Sequence, residues 1–103
     1  MLLDTFRYLV GAYYGIAEMD NYELKEYVLK DIENYIMDYL KDNKIENINL
    51  EEEAKKVEEE LTLKTKLQDS LIVLPKVNAS LELILLVKAR LKEIREEELE
   101  SYK

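Results

Sequence analysis

Two glycines and one proline are spread over 103 residues. These are the residues that stop a helix by backbone chemistry alone, glycine through its conformational freedom and proline through its ring and missing N–H. A chain with so few of them folds most readily into long helices joined by short connections. Their positions add to this. Gly11 and Gly15 stand four apart inside an apolar stretch, and Pro75 is alone. Glu, Lys and Leu, all good helix formers, make up nearly half of the chain.

Apolar spacing divides the chain into four helical segments. In residues 4–19, Phe6, Val10, Tyr13 and Ala17 fall at i, i+4, i+7 and i+11, with Leu9 and Ile16 beside them, and Asp4 stands where an N-cap would. The other side of this segment carries Tyr8, Gly11, Ala12, Gly15 and Met19 and almost no charge. A helix apolar on two faces is buried on two sides. In residues 21–42, Leu24, Val28, Leu29, Ile32, Tyr35, Ile36, Tyr39 and Leu40 share one arc, and Asp20 and Glu23 have capping-box spacing. Residues 41–49 read as a loop.

Asn49 and Glu52 repeat the capping-box spacing and open the third segment. Its stripe of Leu50, Ala54, Val57 and Leu61 changes phase to Leu63, Leu67, Leu71 and Leu74. One helix with a wider buried arc or a break near Thr62 would both account for this. Pro75 should end the segment by pushing Leu74 out of helical geometry. The fourth segment starts near Asn78 or Ser80 and runs to Tyr102, with Leu83, Ile84, Val87, Leu91 and Ile94 as its core row.

The expected fold is all-α, an antiparallel bundle of about four helices forming one domain over residues 1–103. A competing α+β reading makes residues 70–74 and 81–87 the strands of a hairpin, at about 70–87. No repeat or compositional linker divides the chain.

Composition removes most chemistry. With no His and no Cys there is no Ser-His-Asp or Cys-His triad, no disulfide and no zinc site of the usual ligand types. Two glycines cannot build a phosphate loop. Di-iron bundles need Glu-x-x-His pairs, which are absent. The clusters 51–53, 58–60 and 96–98 each contain three adjacent glutamates, and these point 100° apart on a helix, as a solvated face does. No catalytic residue, cofactor site or metal site is assigned.

A net charge of −8 disfavours direct contact with nucleic acid or anionic lipid. No apolar run is long enough to span a bilayer. Residues 2–17 carry Asp4 where a signal sequence needs a basic start, so they read as structure. Lack of cysteine fits a reducing, cytoplasmic setting, and the Glu- and Lys-rich, Gln-poor composition leans towards a thermophile.

The expected role is a non-catalytic protein–protein interaction or assembly module, homo-oligomeric or bound to another protein. A small accessory subunit of a larger complex, including one that handles nucleic acid through a partner chain, is the first alternative. A metal-binding protein or enzyme working through carboxylates alone is the second. Tyr8, Gly11, Ala12, Gly15 and Met19 are the candidate partner-binding residues, because two glycines each weaken a helix by about 1 kcal/mol and call for a packing reason, within the chain or between chains. Tyr8, Tyr14 and Tyr27 fall off the core arcs and are further interface candidates. Lys88, Lys92 and Arg95 share one face of the last segment, with Glu82, Glu93, Glu96, Glu97 and Glu100 roughly opposite, as an ion-pair seam would require. The far-ultraviolet dichroism should be dominated by helix and lost in one cooperative thermal step; a strand-dominated spectrum would refute this reading.

Overall fold

A computed structural model describes residues 2–20 and 22–101. Among them the fold is an all-helical bundle of five α-helices: α1 (Leu2–Ala17), α2 (Lys25–Asp42), α3 (Leu50–Glu60), α4 (Leu63–Val73) and α5 (Leu81–Ser101), with a 3₁₀ turn at Leu74–Val77. No strand is present among the described residues, and residues 70–87 are helix, 3₁₀ turn and helix rather than a hairpin. Residues 21 and 102, where the second segment was expected to begin and the fourth to end, lie outside the described part.

Helix α1 is the centre of the bundle and packs on α2, α3 and α4. Its partners run antiparallel to it. Arg7 pairs with Glu60 at the end of α3, while Tyr14 shares a cleft with Glu51 at the start of that helix. Tyr8 meets Lys76 just past α4, while Glu18 meets Lys66 near its start. Helix α5 packs on α4, also antiparallel, with Lys64 and Glu98 2.9 Å apart at the far end of the pair. Leu9, Ala12, Ile16, Ile32, Leu67, Val73, Leu74, Leu83 and Val87 are fully buried in one continuous core.

The third segment is two helices. Leu61 and Thr62 are extended (ψ 138° and 161°), and Thr62 Oγ1 accepts the Thr65 N–H at 3.2 Å. The two leucine rows cannot face one core from one straight helix, so the chain turns where the phase changes and caps the new helix at once. Asn49 Oδ1 accepts the Glu52 N–H at 3.2 Å, and Ser80 Oγ accepts the Leu83 N–H at 3.3 Å.

Three expected boundaries move. Helix α1 begins at Leu2, so Asp4 lies in its first turn, where a carboxylate meets the positive end of the helix dipole, rather than at a cap. Helix α2 begins at Lys25 with no side-chain cap; Asp20 and Glu23 are not used as a capping box, and Leu24 is exposed. Leu74 keeps right-handed helical angles (φ −51°, ψ −44°) despite Pro75. The missing proline N–H ends the α ladder, and the chain tightens into one 3₁₀ turn instead of leaving helical geometry.

Helices stop here without glycine. At the end of α2, Lys44 takes a left-handed φ of 55°; its N–H bonds to the Lys41 carbonyl and that of Ile45 to the Leu40 carbonyl. The 3₁₀ turn ends the same way, with Asn78 at φ 55° and the Asn78 and Ala79 N–H groups on Pro75 and Leu74. Both are Schellman closures, which use glycine at the left-handed position in most proteins.

Candidate functional site

The small-residue face of α1 is closed by α4 of the same chain. Gly11, Ala12 and Gly15 are buried. Ser70 Oγ lies 3.2 Å from the Ala12 carbonyl and 2.9 Å from that of Lys66, sharing one proton between them. A Cβ on Gly15 would stand 2.6 Å from the Lys66 carbonyl oxygen and would overlap Ser70 Oγ; a Cβ on Gly11 would overlap the Asp69 carboxylate. The glycines therefore allow two backbones to approach across the bundle. Of the other candidate partner-binding residues, Tyr8 is half-buried beneath Lys76, whose Nζ lies 3.3 Å from its hydroxyl and 5.3 Å from the ring centroid. Met19 follows α1 and is half-buried against the core.

From the α4 side the seam is polar. Lys66 is buried, with Nζ 3.3 Å from Glu18 and 3.6 Å from Glu58, so two carboxylates compensate its lost hydration. Asp69 has no cation within 4 Å among the described residues. Burial raises its carboxyl to about 6, against the opposing pull of Arg7. Lys66, Asp69 and Ser70 stand at i, i+3 and i+4, the one sequence signal that α4 turns a polar face inward.

Two further surfaces bear on what the chain could bind. Helices α1, α2 and α3 enclose a cleft of ≈ 290 Å³. Buried Val10 and Ile36 form its floor with half-buried Leu50 and Ala54, while exposed Glu33 and Glu51 form its rim. Tyr13 and Tyr14 also line it, with ring centroids 5.4 Å apart and planes at 82°. Tyr27 lies elsewhere, 73% exposed on α2.

The second open surface is the outer side of α5. Leu81, Leu85 and Leu99 are 68%, 53% and 66% exposed. At 100° per residue they share a narrow strip with exposed Lys88, Lys92 and Arg95. The ion-pair seam expected of those three cations is not formed within the chain; they have no carboxylate within 4 Å among the described residues. Arg90 pairs instead with Glu93 and Glu97, at 3.1 and 3.9 Å, and Lys64 with Glu98.

No three potential metal-ligating side chains converge among the described residues, and no helix there is long and apolar enough to cross a membrane. The chain matches no protein-family model, no curated protein and no solved structure.

The two glycines should respond unequally to alanine. Helix propensity favours each change by about 1 kcal/mol. At Gly15 the new methyl meets backbone, and overpacking of about 1–3 kcal/mol outweighs that gain, so Gly15→Ala should lower the melting temperature. At Gly11 it meets the Asp69 carboxylate, which can turn aside, and the Asp69 Cβ at 3.2 Å, so Gly11→Ala should cost less than Gly15→Ala. Equal losses at both positions would show that the seam has no polar give at Asp69.

Asp69 should make stability fall as pH rises. The folded state holds its proton up to about pH 6, whereas the unfolded chain releases it near the ordinary value of 3.8. Between those values folding takes up a proton, so raising the pH destabilises, and above about 6 the full cost is present. Asp69→Asn, which imitates the protonated form, should melt higher than the parent at pH 7.5, and the gap should close as the pH falls to 4.

Proposed function

We propose that the chain is a non-catalytic assembly module whose last helix pairs with the same helix of a second copy. The observation that carries this reading is the outer strip of α5, where exposed leucines flank cations that have no carboxylate within 4 Å among the described residues.

The strip and its flank form a self-complementary pattern. Leu85, Ala89, Lys92, Glu96 and Leu99 recur at alternating spacings of four and three, and all are exposed. Lys88 and Arg95 lie to one side of this seam, and Glu93 and Glu100 to the other, each acid five residues beyond a cation. In a parallel, in-register two-helix pair the two flanks face one another at that offset, so Lys88 meets the partner's Glu93 and Arg95 the partner's Glu100. Two-fold symmetry then makes each contact twice. Leu85 and Leu99 supply apolar layers, and Lys92 and Glu96 alternate between them. Such a pair is weak and sensitive to salt.

The net charge of −8 supports a protein partner over nucleic acid or an anionic membrane surface, and the absence of cysteine supports a reducing compartment such as the cytoplasm.

Light-scattering mass across a concentration series tests this. The mass should approach two chains at low salt and fall towards one as salt rises. Lys88→Glu with Arg95→Glu should give folded monomers. Mixing that variant with one carrying Glu93→Lys and Glu100→Lys should restore a two-chain species. A parent protein that stays monomeric at millimolar concentration would overturn self-pairing and favour duty as a subunit of a larger complex.

A further inference from the structure

We infer that the cleft between α1, α2 and α3 binds an alkylammonium ion, with the apolar stem against Val10, Ile36 and Ala54 and the charged head at the rim formed by Glu33 and Glu51. The cleft takes no residue from α5, so this inference stands or falls separately from self-pairing.

Three features of the cleft select this chemistry. Its interior is apolar, so a hydrocarbon stem gains by leaving water. Its rim carries carboxylates on two different helices, Glu33 on α2 and Glu51 on α3. Glu51 has no cation within 4 Å among the described residues, and Glu33 has only exposed Lys30, 3.8 Å away. The lining of the cleft holds no cation of its own, so an ammonium carried on an apolar stem would be the charge that answers the rim. Finally, Tyr13 and Tyr14 hold each other edge to face, and the negative faces of tyrosine rings attract cations.

The electrostatics of the cleft agree. The Tyr14 hydroxyl is held above its ordinary value of 10, first by burial and then by the charge of Glu58, with Tyr13 and Glu51 adding and Lys66 opposing. A carboxylate ligand would meet the Glu33 and Glu51 carboxylates at the rim and be repelled. A neutral alcohol would fill the apolar part and leave both rim charges unanswered.

Amide-detected NMR titration of the full chain tests the inference with n-pentylammonium, and with 1-hexanol and hexanoate as neutral and anionic matches of similar size. The ammonium should shift the amide signals of Val10, Tyr13, Tyr14 and Ala54. Hexanol should bind about tenfold more weakly and hexanoate should leave those signals unmoved. The double variant Glu33→Gln, Glu51→Gln should keep the parent melting temperature and lose about tenfold in affinity for the ammonium. Both positions are exposed, so folding should not confound the result. A lysine blocked at both backbone ends provides the last arm. Tighter binding than pentylammonium assigns the site to a lysine side chain of a partner, and weaker binding assigns it to a free amine. Hexanol binding as tightly as the ammonium, shifts confined to other residues, or undiminished binding by the double variant would each overturn the inference.

Discussion

The close approach of α1 and α4 governs the rest of the molecule. Two helices without glycine at the contact keep their axes a side chain apart, and the space between them fills with apolar residues. Here Gly11 and Gly15 bring the α1 backbone against α4, close enough for Ser70 to reach the Ala12 carbonyl. That leaves α1 one broad opposite side for α2 and α3. A short helix with three antiparallel neighbours then suffices as the centre of a small bundle, and α5 is added as an outer layer on α4.

The price of the close approach is a polar seam. Ser70 gives its proton to backbone carbonyls, Lys66 is answered by Glu18 and Glu58, and Asp69 occupies the hollow left by the absent side chain of Gly11. Of the three, only Asp69 lacks a partner that fully answers burial, and its carboxyl shift records this. Buried polar groups of this kind add little net stability but resist being paired with the wrong face. The seam sets the Lys66, Asp69 and Ser70 side of α4 against α1.

Much of the fold was legible because periodicity reports burial directly. The two-sided apolarity of residues 4–19 is that of a central helix, and Leu83, Val87 and Leu91 are buried as their spacing implies. The change of phase at Leu61–Leu63 marked a break but could not by itself exclude a wide buried arc. Boundaries were read less well. Asp20 and Glu23 have capping-box spacing without capping, and Lys44 and Asn78 close helices where glycine would be sought. Local signals of that kind state what a residue can do, and tertiary contacts decide whether it does it. The open surfaces were only half visible. The basic strip on α5 could be read from the spacing of Lys88, Lys92 and Arg95, but the exposure of Leu81, Leu85 and Leu99 could not, because the same leucines would serve equally well in a core. The cleft gathers Tyr13, Glu33 and Glu51 from three helices, and no spacing in a linear chain announces such a meeting.

The order of helices along the chain has a consequence for how the protein is made. The partners that close the α1 seam are far apart in sequence: Ala12 and Ser70 by 58 positions, Tyr8 and Lys76 by 68. All-helical proteins are commonly built from neighbours and fold fast because their contacts are local. This one keeps its first helix waiting. Until α4 has emerged from the ribosome, the Gly11–Gly15 side of α1 faces water with an apolar surface and two residues that weaken the helix. Loop closure over that distance must precede the contacts that reward it. The α1–α4 seam thus joins the first third of the chain to its last third, and its loop is the longest that the bundle's central helix has to close.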